Sequence, residues 1–379
     1  MKVCLLGLEN LPVLAQEYSR FYSGGEQVQQ TLLAKALRRR GYDVSMVVAD
    51  YGQRDGETWE GVRTYKAFRF DAGIPVIRFV YPRWVKLWGA LRRADAQVYY
   101  TSCAGMHVGL LALFCKRYQR GLVFRLASDG DVDPERLMIR YRRDKLLYQY
   151  GLRRAHCVLA QHKGQQSRLR SNYGVRSAIA GLLVEAPVKL IHRNQKDIDI
   201  LWVSNLQPVK RPELLLELAR RMPHRRFSMV GGRMIGASAL YEHMRQEAAS
   251  ITNLVFHGAV PYRDIGDYFD RARVLVNTSS LEGFPNTYLQ SWLRGVPVIS
   301  FFDPEGLIAR EGLGMTVNTL GQMEEAVDKL LEDDSRWQVL SEKVRAYAAR
   351  HFDENNVVAA YCKAIEGAWH KAKTSDAKK

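Results

Sequence analysis

No apolar run in this 379-residue chain is long enough to cross a bilayer. The most apolar stretch, His107–Cys115, falls well short of the roughly 20 residues a spanning helix needs. The opening MKVCLLGLEN lacks the long apolar core and small-residue cleavage site of a signal peptide, and reads as a short buried strand. Cysteine is scarce and scattered: Cys4, Cys103, Cys115, Cys157 and Cys362 form no Cys-x-x-Cys and no paired Cys/His spacing. An odd number among apolar neighbours favours reduced, buried thiols in a cytosolic protein over disulfides or zinc ligands. Also missing is Gly-x-Gly-x-x-Gly after the first strand. Gly7-Leu8-Glu9 does not supply it, which argues against a nicotinamide oxidoreductase. Short solenoid-type repeats are absent too.

What the chain has in excess is positive charge, +16 overall. The excess is confined to one half: residues 1–190 hold 31 Lys+Arg against 16 Asp+Glu, and residues 191–379 hold 25 against 24. One basic, partner-facing domain and one nearly neutral domain follow. Nucleic acid, an anionic membrane and an anionic substrate are all partners of the right sign. The basic residues are dispersed along helices and match no standard nucleic-acid motif, so a nucleic-acid-binding protein is the alternative rather than the expectation.

The length suits two domains, each alternating short apolar runs with helical patterns. In the first half, strands are predicted at Lys2–Gly7, Asp43–Ala49, Gln97–Thr101, Leu122–Ala127 and His156–Gln161. A helix over Glu26–Arg40 has Val28, Leu32, Leu33, Ala36 and Leu37 on one face. The pattern restarts at Ile198–Ser204, followed by a helix that opens on Pro212. Strands then recur at Arg226–Val230, Leu254–His257, Arg273–Asn277 and Val296–Ser300. The fold class expected is α/β, with two Rossmann-like domains whose parallel sheets face each other across a cleft. The boundaries are 1–185, 186–355 and 356–379, the last a helix packing back towards the first domain and then a flexible tail.

Doubly wound sheets bind ligands at the carboxyl ends of their strands. At the end of Ile198–Ser204 the loop Asn205–Arg211 precedes a helix N-terminus, where Lys210 or Arg211 either binds an anion or forms a solvated basic cap. Gly231-Gly232 and Gly24-Gly25 permit close approach of a ligand or of backbone. The densest segment is Asn277–Gln290, running on to Gly295-Val296-Pro297-Val298. There Glu282 lies in a Gly/Pro turn ahead of a short helix that Asn286 is placed to cap, with Gln290 on its first turns.

Together these residues resemble the signature of the retaining family 4 glycosyltransferases of GT-B fold. That pattern is Glu-Gly-Phe-Gly/Pro, a second Glu eight positions after the first, then Gly-x-Pro-Val. Val203–Lys210 resembles the family's phosphate loop, and Tyr22-Ser23-Gly24-Gly25-Glu26 its amino-terminal glycine loop. The resemblance implies a hexosyltransferase acting without metal or cofactor on a nucleotide-diphosphate sugar. Glu282 and the amides of Gly283 and Phe284 would meet the donor sugar. Lys210, Gly25, Asn286 and Thr287 would approach the diphosphate, with Gly24, Asn205, Arg211, Gly231, Gly232, Pro285 and Gln290 completing the donor site. Glu282 and Lys210 are the residues expected to be catalytic.

Three departures stand out. Gln290 replaces the second Glu and can hydrogen-bond but not act as a carboxylate. Asn205 replaces the usual Arg, and Arg211 is placed to compensate. A His often found after the fourth strand is replaced within Leu126–Asp129, leaving Asp129 and His107 as acceptor-side candidates. A glycan or polyprenyl-diphosphate-linked acceptor in bacterial-type polysaccharide, lipopolysaccharide or exopolysaccharide synthesis fits the basic first domain. So does a cytoplasmic location, peripheral on the inner membrane. Phe68–Arg93 interleaves basic residues with Trp84 and Trp88, a pattern that suits either an anionic membrane surface or a core-packed helix with a solvated basic face.

Overall fold

The computed structural model describes residues 1–19, 24–74, 77–234 and 238–374. They divide into two compact units, one of Met1–Leu183 with Glu354–Lys379 and one of Val184–Asp353.

The first unit is built on β1 (Lys2–Leu6), β2 (Asp43–Val48), β3 (Thr58–Trp59), β4 (Val62–Lys66), β5 (Val98–Ser102), β6 (Gly121–Arg125), β7 (Cys157–Ala160) and β8 (Ala178–Ile179), in the order β3-β4-β2-β1-β5-β6-β7-β8. All neighbours run parallel except β3 with β4. β5 and β6 are buried throughout, as expected of strands covered on both faces by crossover helices. The helix Gly25–Arg39 lays the predicted stripe of Val28, Leu32, Leu33, Ala36 and Leu37 against the sheet. The helices Met106–Tyr118 and Arg142–Arg154 cross at two glycines. A Cβ on Gly109 would stand 2.3 Å from the Leu147 carbonyl oxygen, and one on Gly151 2.5 Å from that of Val108. The closing helix Glu354–Thr374 belongs to this unit, where Tyr361 donates to the Gly181 carbonyl at 2.9 Å and Lys371 to that of His156 at 2.8 Å.

The second unit holds β9 (Ile198–Val203), β10 (Phe227–Val230), β11 (Leu254–Gly258), β12 (Ala272–Asn277), β13 (Val298–Ser300) and β14 (Gly314–Thr316), in the order β11-β10-β9-β12-β13-β14, all parallel. Its core gathers Trp202, Leu215, Leu218, Phe227, Met229 and Val276 with the helical Trp337. Chain direction of winding reverses between β1 and β5 in the first sheet, and between β9 and β12 in the second. At such a reversal the flanking crossovers leave to opposite faces, so their loops part and open a crevice at the strands' carboxyl ends.

Four strands escape the sequence reading: β3, β4, β8 and β14. β4 is the sequence VRTYK, in which exposed Arg63 interrupts the apolar pattern, and the others are only two or three residues long.

Candidate active site

In the second unit, β9 and β12 are neighbours at the reversal, and the loops leaving them are stitched together. Val203 leads through Asn205 into a single 3-10 turn, Pro208–Lys210, and Arg211 then takes a left-handed conformation (φ 48°) before the helix Pro212–Arg221. From the other side, Thr278 donates its hydroxyl to the Lys210 carbonyl at 2.6 Å and accepts from the Trp202 indole at 2.9 Å. The Ser280 amide donates to the Val209 carbonyl at 2.9 Å. Arg211 Nε donates to the Thr278 carbonyl at 2.7 Å, and its guanidinium lies 4.8 Å from the centre of the Phe301 ring. These contacts fix the backbone from which two charged side chains project.

Those side chains meet. Lys210 Nζ lies 2.5 Å from Glu282 Oε2, both mostly buried, and Ser279 donates to the other carboxylate oxygen at 2.7 Å. A fixed cation and a fixed acceptor therefore stand side by side where the fold places a ligand crevice. An ammonium there can hold an anion, and a carboxylate can orient hydroxyl groups.

After Glu282 the chain turns through Gly283 and Phe284 into the helix Asn286–Leu293. The cap of this helix is Pro285, not Asn286 as the sequence suggested; Asn286 is its first residue. Pro285 carries no side-chain acceptor, so no cap side chain covers the first-turn amides. The Phe284 ring packs on Trp292 and Phe352, and Tyr288 anchors the helix through Ser300 Oγ (2.5 Å) and the Phe302 carbonyl (2.9 Å). Thr287 is half-buried and Gln290 is buried, its carbonyl accepting from Arg294.

Gly231 is needed for backbone rather than ligand: a Cβ there would lie 2.3 Å from the Ser204 carbonyl oxygen. One on Gly232 would lie 3.0 Å from Asn205 Oδ1. The Leu206 amide donates to the Gly232 carbonyl at 3.0 Å, so the end of β10 buttresses the 204–206 loop. The glycine pair thus acts on the site through the loop that carries Lys210.

The first unit holds the other candidates. Gly24 precedes the helix Gly25–Arg39, and its amide donates to Gln27 Oε1 at 3.0 Å, while Gln27 donates to Glu9 at 2.8 Å. Tyr22 and Ser23 of the glycine loop lie outside the described residues. Just beyond, Glu26 pairs at 3.1 Å with Arg125, whose side chain is fully buried. Burial raises the Glu26 pKa, and the Arg125 charge opposes that rise. This pair went unnoticed in the sequence, though an Arg inside the apolar run Leu122–Ala127 signals it.

Asp129 is tethered, not free. His162 Nε2 and Gln165 Nε2 reach its Oδ1 at 3.0 and 3.1 Å, and Arg168 its Oδ2 at 2.7 Å. Burial alone would raise its pKa, but the bonds from His162 and Arg168 outweigh this and lower it to about 2. His162 accepts the Gln165 amide on Nδ1, so its Nε2 carries the proton given to Asp129. His107 is held by the Ser102 carbonyl at 3.0 Å, and burial lowers its pKa below the ordinary value. Trp84 and Trp88 do not face outward. Both are half-buried against the core of the first unit, Trp88 donating to the Tyr118 hydroxyl at 3.3 Å.

Comparison with known proteins decides the family. Residues 197–333 match the family Glycosyl transferases group 1, and residues 24–180 match the Glycosyl transferase 4-like domain. The chain is a group 1, family 4-like glycosyltransferase.

Solved structures share its GT-B fold. Sucrose-phosphate synthase from Thermosynechococcus elongatus superposes with a TM-score of 0.77 at 18% identity, covering 97% of this glycosyltransferase and 99% of that chain. HepE from Anabaena, solved with UDP and glucose, gives 0.73 at 14% identity over 97% and 99%. WaaG, a glycosyltransferase involved in lipopolysaccharide biosynthesis, gives 0.66 at 14% over 96% and 99%. At such identities the likeness concerns the fold. A search of curated proteins finds no match. No helix among the described residues of the glycosyltransferase is long and apolar enough to cross a membrane.

Proposed function

We propose that this glycosyltransferase moves a sugar, with retention of anomeric configuration, from a nucleotide-diphosphate sugar to a glycan or lipid-linked acceptor. The observation that carries the reading is the Lys210–Glu282 pair at the strand-order reversal of the second unit. When a diphosphate enters, Lys210 turns from Glu282 to the phosphate oxygens, and Glu282 is released to the hydroxyls of the donor sugar. The first-turn amides of the helix Asn286–Leu293 add partial positive charge to the same region. Charge developing on the departing diphosphate is thereby met by fixed groups, which lowers the barrier without a metal ion. Retention follows from front-face attack, in which the leaving phosphate takes the acceptor's proton.

HepE, of the same fold, was solved with UDP and glucose, and WaaG serves lipopolysaccharide synthesis. The first supports a nucleotide-sugar donor, and the second a glycan acceptor. The nearly neutral second unit suits donor binding, and the basic first unit suits an anionic acceptor such as a polyprenyl-diphosphate glycan. The experiment is transfer of radiolabelled sugar from a panel of nucleotide-diphosphate sugars to lipid-linked glycan, with the product's anomeric configuration read by NMR. An inverted product overturns the retaining mechanism, and hydrolysis without transfer overturns the acceptor class.

A further inference from the structure

Apart from Met1 and Ile179, the large apolar residues exposed among the described residues of the first unit fall in two stretches. Ile74 (68% exposed), Ile77 (59%), Val80 (56%), Tyr81 (62%) and Val85 (51%) follow one another along a single segment. Large apolar side chains so exposed along one segment mark an interaction surface rather than a core. A second group, Met138, Tyr141 and Leu146, is exposed on the lead-in and first turns of the helix Arg142–Arg154. The two groups belong to one surface: the Arg143 guanidinium lies 3.6 Å from the centre of the Phe79 ring, and Arg83 feels the charge of Asp144.

The surroundings are basic. Residues 69–86 carry Arg69, Arg78, Arg83 and Lys86 against Asp71, and residues 136–145 carry Arg136, Arg140, Arg142, Arg143 and Lys145 against Asp144. Beneath the ridge the scaffold is firm. Trp84 and Leu147 pack into the core of the first unit, and the helix Arg142–Arg154 is clamped by the Gly109–Gly151 crossing. The ridge also has a definite place. Residues 68–85 follow the carboxyl end of β4, and residues 129–141 follow that of β6, so the ridge grows from the edge of the sheet that carries Gly24 and Asp129.

We propose that Ile74, Ile77, Val80, Tyr81, Val85 and Leu146, with the arginines and lysines of the same segments, form a docking ridge for an anionic lipid bilayer. The apolar tips enter the headgroup–acyl boundary while the cations bind lipid phosphates, two contributions that are separately too weak for stable attachment. An anionic bilayer fits better than a protein groove because exposed cations accompany the apolar tips along both segments, Arg78 and Lys86 in one and Arg140 and Arg142 in the other, as a headgroup layer over hydrocarbon requires. It fits better than nucleic acid because a polyanion gives no return on exposing six aliphatic and aromatic side chains. The inference deepens the lipid-linked acceptor reading: a lipid-anchored glycan cannot leave the membrane, and the ridge brings the acceptor edge of the first unit to it. Its evidence does not depend on that reading.

The test is co-sedimentation with vesicles of phosphatidylcholine alone and of phosphatidylcholine with about 30% phosphatidylglycerol, at salt of about 0.1 M and about 0.5 M. The wild-type chain binds the anionic vesicles at low salt and is released at high salt. The triple variant Ile77→Ser, Val80→Ser, Tyr81→Ser and the pair Arg78→Glu, Arg142→Glu each lower partitioning by about tenfold or more. Val339→Ser, exposed on the second unit, leaves it unchanged. Because all these positions are exposed, thermal unfolding and nucleotide-diphosphate binding stay at wild-type values in every variant. Equal binding to both vesicle types, or vesicle binding that the Ser triple does not alter, overturns the ridge. A chain that binds vesicles but no nucleotide diphosphate keeps the ridge and overturns the transferase site instead.

Discussion

Lys210 Nζ and Glu282 Oε2 lie 2.5 Å apart, on loops that leave β9 and β12 at the strand-order reversal of the second unit. Two backbone-anchored contacts, from Thr278 to the Lys210 carbonyl and from Ser280 to the Val209 carbonyl, hold the loops in that relation. The pair is therefore a property of the scaffold and not of two flexible side chains finding each other.

Glu282→Ala is expected to abolish sugar transfer while leaving the fold intact. The carboxylate meets Lys210 and Ser279, while the loops themselves are held by the Thr278 and Ser280 contacts to backbone carbonyls, which the substitution leaves in place. Activity assays and thermal melts on the same preparation check this. Wild-type turnover by a correctly folded variant would remove Glu282 from the chemistry.

Gly231→Ala tests whether the glycine pair acts through the loop. The new Cβ would collide with the Ser204 carbonyl oxygen, 2.3 Å away, and one of the two strands' ends must shift. Overpacking of this kind costs about 1–3 kcal/mol. Urea unfolding should show the loss, and nucleotide-diphosphate binding should weaken with it. A Gly231→Ala chain of unchanged stability would mean the loop yields freely.

The legibility of the sequence differs between fold and site. The long parallel strands are continuous apolar runs such as Gly121–Arg125, and reading them gives both sheets. Short edge strands give no such run, which hid β3, β8 and β14. The Phe68–Arg93 segment shows why periodicity cannot assign faces: the sequence leaves Trp84 and Trp88 open between a membrane surface and the core, and in the structure their rings pack against the core while smaller Ile and Val residues take the surface. At the site, Glu282 and Lys210 could be picked out singly from their loops. Their contact could not, because it arises from β9 and β12 being neighbours in space. The tethering of Asp129 likewise needed β6 and β7 side by side, so that His162 could reach it.

The Asp129 cluster predicts a pH dependence. Its folded pKa, about 2, lies below the usual value of about 3.9 for an unfolded Asp. A depressed folded pKa contributes stability that is present above the unfolded value and is lost as pH falls through the folded one. Wild-type stability should therefore drop between about pH 4 and pH 2 by more than that of Asp129→Asn, which lacks the titrating group. Urea midpoints measured across this range check it, and parallel curves for the two proteins would show that His162 and Arg168 do not stabilise the carboxylate.

Arg125→Met leaves Glu26 without its cation next to the glycine pair Gly24-Gly25. Breaking one half of a buried ion pair costs about 3–5 kcal/mol, whereas replacing both partners with apolar side chains costs far less. Arg125→Met should accordingly be much less stable than the double variant Arg125→Met, Glu26→Leu. Chemical denaturation of both gives the answer, and equal stabilities would mean the pair is not coupled.

The central claim is that the Lys210–Glu282 site takes the diphosphate of a nucleotide sugar. Isothermal titration of a panel of nucleotide diphosphates and their nucleosides, into wild-type chain and Lys210→Ala, tests it most directly. One diphosphate should bind the wild type, and Lys210→Ala should weaken it by about 1.5–3 kcal/mol while leaving the nucleoside unaffected. Equal losses for diphosphate and nucleoside, or no change in either, would contradict it.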